Sequence, residues 1–342
     1  MKKKQTVTVA TLAEKLGVST ATVAKALNGQ GRISEATIRR VKELAKELKY
    51  VPNQAARSLR TNVKDTVGLL ITSDISSAWY SALVSQLETE FSRRGLTMLL
   101  ALGKSDQKKI GHAMESFFGG RVRGIIAGPI SNQRDMEFLQ AAEDHGIPLV
   151  IFSNLEKLPI NFVALDQEAG ARIMLEHLYQ LGHRRIAYFG ALSPLPGTRQ
   201  AGYHSFMEKF DLEPENIHLD EFSRKGAYDK MTQLLKTKTV SELPTALLVH
   251  NDDMALGVLL ALQQAGIKVP EEISVTGFDD IAESSFCIPG LTTIGGIMES
   301  MVKELVDTLD YAVLNTNGPP QQRFIIPKLI QRATTAKPAK TK

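Results

Sequence analysis

The chain reads as a small all-α head followed by a larger α/β core of two doubly wound parallel-sheet halves. Three observations predict this. Residues 1–50 carry apolar side chains at helical spacing in three short runs punctuated by Gly and Ser. From Thr66 onward, apolar runs of strand length alternate with amphipathic stretches of helix length, and the alternation restarts at Asp166. Charge also changes sign: residues 1–64 hold 14 Lys/Arg against 4 Asp/Glu, a formal +10, and the other 27 against 33 leave −6 for residues 65–342. The net +4 of the 342-residue chain therefore hides a compact basic head, which implies a polyanionic partner.

In the head, Val9, Leu12, Ala13 and Leu16 fall on one helical face, with Thr8 to cap the helix and Gly17 to stop it. Ser19 caps a second helix that turns Val23, Ala26 and Leu27 inward and places Thr20, Ala21, Ala24, Lys25 and Asn28 on the opposite arc. A third helix begins near Ser34. It buries Ile38, Val41, Ala45 and Leu48 and leaves Arg39, Arg40, Lys42, Lys46 and Lys49 for solvent or phosphate. Two short helices joined by a tight Gly-containing turn, the second with a small polar face, describe a helix-turn-helix that fits the roughly 12 Å wide major groove of DNA. A helical bundle with a solvated basic surface is the plainer alternative.

VPNQAARSLR at 51–60 separates head from core. Pro52 and Asn53 suit a helix start. A helix shorter than about 12 residues is marginal alone in water, so this one should fold only in company. Ala55, Ala56 and Leu59 form a small apolar face for a symmetry mate, while Arg57 and Arg60 approach phosphates. The segment is thus a candidate switch, disordered in the free protein and helical on DNA.

In the core, TVGLLITS, LTMLLAL, RGIIAG and PLVIFS are the strands of the first half, followed by helices from about Ala78, Asp106 and Arg134. The second half has helices at 166–181, 197–210, 226–236 and 252–266, and strands RRIAYFG, TALLVH and ISVTGF. Ligands of open α/β sheets bind beyond the carboxyl ends of strands. Those ends carry Asp74, Asn154, Arg199, Asn251, Asp252 and Asp279, with Trp79 and Tyr80 after the first strand. Acids and amides that accept from hydroxyls, an arginine that donates, and an aromatic ring for a C–H face suit a polyhydroxylated ligand. Taken singly, each residue also has a plain use, as a helix cap or a core Trp.

Other features exclude function classes. Cys287 is the only cysteine, which rules out an internal disulfide and suits a packed thiol in a reducing compartment. MKKKQTVTV lacks the apolar run of a signal peptide, and no stretch reaches the roughly 18 apolar residues of a membrane span, so a cytoplasmic protein is expected. GQG at 29–31 is not a dinucleotide fingerprint, and GxxxxGK[ST], GxSxG and HExxH are absent. His177 and His183 lack a metal spacing, and His183 reads as structural. No catalytic residue, metal or cofactor is assigned. The rival readings are a sugar-modifying α/β enzyme and an exported solute-binding protein, and neither explains the basic head.

The stretch TLAEKLGVSTATVAKALNGQGRISEATIRRVKELAKELKYVPNQAARSLR resembles the DNA-binding head and hinge of the lactose-repressor (LacI/GalR) family. VGLLITSD, LYQLGHRRIAYFG, Arg199 to Tyr203, LLVHNDDMALG, ISVTGFDD and PGLTTI are similar to landmarks of its core, so the likeness covers nearly the whole chain. The chain departs from the family pattern at Ala24-Lys25, where Ser-Arg is usual, and at Thr11, where an acid is usual. The resemblance implies that Thr20, Ala21 and Lys25 face base edges and that Thr8, Ser19, Asn28, Ser34 and Thr37 hold phosphates. Asn53, Ala56, Arg57 and Leu59 would act in the hinge, Leu59 as a minor-groove wedge. Arg199, Asn251 and Asp279 would bind an effector, with Trp79, Tyr80, Asn154 and Met298 lining the cleft beside Asp74.

The implied organisation is a DNA-binding domain at 1–50, a hinge at 51–62 and a periplasmic-binding-protein-like core at 63–336, with a basic tail at 337–342. In the core, subdomain one would take about 63–162 and 293–320, and subdomain two about 163–290 and 323–336. The implied function is a transcriptional repressor that binds pseudo-palindromic double-stranded operator DNA as a homodimer or dimer of dimers. Its effector would be a sugar or sugar derivative, with a purine or a phosphorylated protein as the alternative within the family.

Overall fold

The computed structural model describes residues 7–29, 31–50, 65–104, 106–120, 122–130, 137–153, 159–190 and 197–339, and the chain divides into two compact units, Met1–Lys64 and Asp65–Lys342. The expectations for hinge residues Asn53, Ala56, Arg57 and Leu59, and for Asn154, lie outside the described residues.

The first unit holds α1 (Val9–Leu16), α2 (Thr20–Asn28) and α3 (Glu35–Glu47) around a core of Leu12, Ala13, Val23, Ala26, Val41 and Ala45. Each helix starts at a hydroxyl cap: Thr8 accepts from the Thr11 amide at 3.3 Å, Ser19 from Thr22 at 3.0 Å, and Ser34 from Thr37 at 3.2 Å. The Thr11 hydroxyl returns the bond, accepting from the Thr8 amide at 3.2 Å, so it completes the reciprocal cap that an acid makes elsewhere. Gly17 and Gly29 stop α1 and α2 in left-handed geometry, at φ 65° and 67°. One expectation fails. Ala24 is buried, at 5% exposure, instead of facing outward. α2 packs on both α1 and α3, so its buried arc is wider than the stripe of a helix lying on one surface.

In the second unit, β1 (Thr66–Ile71), β2 (Thr97–Leu102), β3 (Ile125–Ile130), β4 (Leu149–Ser153), β5 (Asn161–Leu165) and β11 (Gln322–Ile325) form a parallel sheet in the order β11-β5-β4-β3-β1-β2. α4 (Ala78–Arg93), α5 (Gln107–Gly119), α6 (Glu137–Asp144) and α12 (Met298–Leu314) accompany it. Burial on two faces explains why β1 is a continuous apolar run. Leu69 and Ile71 share one cluster with Leu83 and Leu87 of α4 and Leu305 of α12, and Leu70 joins Met114 and Phe117 of α5 in another.

A second parallel sheet has the order β7-β6-β8-β9, with β6 at Ile186–Gly190, β7 at Glu215–His218, β8 at Ala246–Val249 and β9 at Ser274–Thr276. Around it stand α7 (Gln167–Leu181), α8 (Arg199–Lys209), α9 (Arg224–Thr237), α10 (Asp252–Gln264) and the short α11 (Glu283–Phe286).

The chain passes between the halves three times, after β5, after β10 (Thr293–Gly295) and after β11. β10 pairs antiparallel with β12 (Lys328–Ile330). These passages correct the expected subdomain limits. All of β5, 161–165, and all of β11, 322–325, lie on the first sheet, so residues 163–165 and 323–325 belong to subdomain one. β5 lies beside β4, its neighbour in sequence, whereas β11 pairs with β5 from far along the chain, a pairing that local pattern does not encode. α12 packs on β4, β5 and α4 of the first half.

Candidate functional site

On the head, Thr20, Ala21 and Lys25 are exposed on α2. The Lys25 stem lies against Gly31, where an added Cβ would stand 3.2 Å from Lys25 Cδ. Thr8, Ser19, Ser34 and Thr37 cluster at helix starts, where free backbone N–H groups and the helix dipole favour anions. The Thr8, Ser19 and Ser34 hydroxyls accept in caps and each shares a hydroxyl–hydroxyl bond, with Thr11, Thr22 and Thr37, in which either partner can donate. Asn28 is the last residue of α2, and its side chain lies outside the description.

In the core, a cavity of about 440 Å³ opens between the ends of the two sheets. Asp74, Trp79 and Tyr80 line it from the first half, and Arg199, Asn251 and Asp279 from the second. Arg199 begins α8, where Thr198 caps the helix by accepting from Ala201. Its guanidinium meets Asp279 at 3.0 Å, donates to the His250 carbonyl and lies 3.8 Å over the Phe278 ring. Burial pushes the Asp279 carboxyl up, and Arg199 counteracts the shift. Asp279 and Asp280 both adopt left-handed backbone, at φ 108° and 53°. Such conformations cost roughly 1–3 kcal/mol each and persist where the surroundings fix them. Here the Asp279 amide donates to Ile294 at 2.8 Å, and Asp280 pairs with Arg332 at 2.6 Å.

Trp79 and Tyr80 meet edge to face at 5.0 Å, and the Trp79 indole N–H is buried without a partner among the described residues. Burial raises the Tyr80 phenol to about 12; the charges of Asp279 and Arg199, felt across the cleft, act on it in opposite directions. Asp74 lies at the rim, accepts from the Ser76 amide at 2.9 Å and stands 3.7 Å from Lys104; the Ser76 amide is the main reason its carboxyl is held below the usual range. Asn251 caps α10 by accepting from Met254 at 3.0 Å, so it serves the helix as well as the cavity wall.

Two expectations are corrected. Met298 is half-buried against the core but does not line the cavity; Met301, one turn further along the same face of α12, does. Asp252 sits at a strand end but is fully buried behind the wall. Its carboxylate accepts from Thr293 and Ser284 hydroxyls and the Ile281 amide. At Gly277 a Cβ would come within 2.0 Å of Asp252 Oδ1, so the carboxylate requires glycine there. Sequence reasoning also missed Tyr188, Phe222 and His250 as wall residues. His250 directly follows β8, so the strand-end rule contained the signal, whereas Phe222 lies in a connection with no pattern to mark it.

A capped helical head with an exposed second helix, carried by a chain whose α/β core encloses a polar cavity, is the build of a ligand-responsive DNA-binding regulator. Residues 8–53 match the model for bacterial regulatory proteins of the lacI family, and residues 175–335 match the periplasmic binding protein-like domain. The chain is 30% identical to the lactose operon repressor of Escherichia coli K12 over 336 residues, covering 97% of this chain and 91% of the relative. It is 31% identical to that organism's ribose operon repressor, covering 96% and 99%, and 29% identical to the repressor PurR of Haemophilus influenzae, covering 95% and 97%. The solved lac repressor dimer bound to operator and the anti-inducer ONPF superposes with a TM-score of 0.84 at 27% identity, covering 97% of this chain and all of that one. The chain belongs to the LacI family of DNA-binding transcriptional repressors and is not an enzyme.

Proposed function

We propose that this repressor acts in the cytoplasm, binds a pseudo-palindromic operator as a homodimer and changes its operator affinity when a sugar or sugar derivative fills the core cavity. The observation that carries the reading is the cavity wall itself, where a buried Arg199–Asp279 pair faces Trp79 and Tyr80 across the cleft. Paired donors and acceptors beside an aromatic face suit a molecule rich in hydroxyls. Lys25, Thr20 and Ala21 would read bases, while Thr8, Ser19, Asn28, Ser34 and Thr37 would hold phosphates. Asn53, Ala56, Arg57 and Leu59 would pair at the operator centre, and coupling between cavity and operator would amount to about 1–3 kcal/mol.

A two-headed dimer matches a two-fold operator. Its contact surface is supported by an apolar patch on the second half, where Phe286 and Ile288 are 83% and 94% exposed beside Leu260 and a hollow lined by Leu256, Leu259 and Val269. Ile288→Asp should yield monomers in sedimentation.

Selection of binding sites from randomised duplex DNA tests the whole reading. Enriched sites should contain two inverted half-sites, and Arg199→Ala or Asp279→Asn should retain operator binding while losing the response to the effector. Enrichment of an asymmetric site would remove the dimer, and a normal response in both variants would remove the cavity.

A further inference from the structure

We infer that the ligand of this cavity is an uncharged polyhydroxylated molecule, and that the His250–Tyr188 pair is the specificity element that disfavours its phosphorylated or carboxylated forms. The inference rests on the proposed function only in taking the cavity as the effector site.

Charge comes first. Among the described lining residues, Arg199 is the only guanidinium or ammonium group. It is already engaged by Asp279 at 3.0 Å, by the His250 carbonyl and by the Phe278 ring. The remaining ionisable acids of the wall, Asp74 and Asp253, present carboxylates to the space, each with its cation at the rim: Lys104 at 3.7 Å from Asp74 and Arg224 at 2.6 Å from Asp253. The Arg199 Nε is buried without a partner among the described residues, so a phosphate dianion could reach that donor only by coming beside the buried Asp279 carboxylate or by taking the guanidinium from it. A neutral hydroxyl meets no such repulsion.

His250 decides what the wall offers instead. Its Nδ1 lies 2.7 Å from the Tyr188 hydroxyl, and its ring meets Phe222 edge to face at 4.4 Å. Burial, with Arg199 alongside, pushes the imidazole well below its ordinary value, and burial raises the Tyr188 phenol to about 12. At neutral pH the pair is therefore an uncharged imidazole and an uncharged phenol. Whichever of the two nitrogens carries the proton, the pair offers a neutral hydrogen bond and no charge, which serves a sugar oxygen and gives a phosphate none of the charge assistance it needs. Aromatic surface completes the fit, with Trp79, Tyr80 and Phe152 on one wall and Tyr188 and Phe222 on the other, able to cover both C–H faces of a ring. The buried indole N–H of Trp79 is a further neutral donor, without a partner among the described residues.

Matched pairs test this on the full-length protein: ribose and ribose 5-phosphate, glucose and glucose 6-phosphate, cellobiose and cellobiose 6′-phosphate, inosine and inosine 5′-monophosphate. At millimolar concentration at least one neutral sugar should raise the melting temperature by several degrees, and its phosphate ester should raise it less. For that sugar, calorimetric titration should find affinity about tenfold lower in His250→Ala and lower in Tyr188→Phe, with much of it kept in His250→Gln, which retains a neutral donor. Tyr188→Phe removes one hydroxyl only, so it keeps the test open if the alanine variant fails to fold. A phosphate ester that binds more tightly than its neutral partner, or a panel in which no neutral sugar binds, overturns the inference. Unchanged affinity in both His250→Ala and Tyr188→Phe overturns the role of the pair. Operator titrations run alongside separate the two levels: release by a phosphate ester leaves the effector reading standing and removes this one, whereas operator binding unaltered by any of the eight compounds removes the effector reading itself.

Discussion

The head and the core of this repressor are held by different means. Among the described residues the head closes around seven buried side chains, four of them alanine, and each helix is started by a hydroxyl cap. In the core a single apolar cluster runs from Val67 and Leu69 of the first half to Met174, Tyr188 and Tyr203 of the second. A unit with so small a core has little margin, so loss of one large side chain should be decisive in the head and absorbed in the core. The difference teaches where each part is vulnerable: the head through single local interactions, the core through its buried polar groups.

The largest expected effect is therefore Leu12→Ala. Removing a fully buried leucine typically costs about 2–5 kcal/mol, enough to unfold the head. Calorimetry should lose the head transition while the core transition stays in place, and operator binding should vanish with ligand binding intact. A parallel shift of both transitions would show that the two units do not fold independently.

Asp252→Asn probes the buried polar side of the comparison. Burial, foremost, raises the Asp252 carboxyl from 3.8 to about 7, against hydroxyl and amide donors that favour the ionised form. Between those values the folded core keeps a proton that the unfolded chain has lost. The contribution of Asp252 to stability is thus greatest below about pH 4, declines as pH rises towards 7 and is level above, a span of at most about 4 kcal/mol. In Asp252→Asn the core's denaturant midpoint should lose this slope. A slope that persists unchanged assigns it to other groups.

Lys25→Ala comes next, with about 1–3 kcal/mol lost on the selected operator and much less on random DNA. Equal losses on both, measured by anisotropy titration, would reduce Lys25 to a phosphate contact. Smallest is Ser34→Ala, which removes the cap of α3 and should lower head stability by about 1 kcal/mol. The head transition should move and the core transition should not.

The same contrast governs what the sequence disclosed. Helix limits in the head could be read almost to the residue, because Thr8, Ser19, Ser34, Gly17 and Gly29 act on neighbours three or four positions away. In the core seven strands appeared as apolar runs, but β5, β7 and β11 did not: β5 joins the first sheet beside β4, and β11 reaches it only by pairing with β5 across more than 150 residues, which nothing local assigns. The cavity residues given by the strand-end rule, Arg199, Asn251 and Asp279, do line one space. Met298 came from the family resemblance, which carries a position on the helix but not which turn of this helix reaches the cleft, and Met301 lines it instead. Phe222 was hidden because a wall assembled from two halves places residues by tertiary geometry alone.

The three passages between the halves carry a mechanical consequence. Two bodies joined by one tether can tumble in every direction. Here three short connections leave together, and two of them are bound to each other by the β10–β12 ladder. Translation and twist are opposed, and the softest remaining motion is a rotation that opens or shuts the cavity like a book on its spine. Ligand occupancy is then reported as one angle. Spin labels placed at several points around the cavity mouth should show distance changes that rise and fall in proportion; independent changes would mean that the spine is looser than its ladder implies.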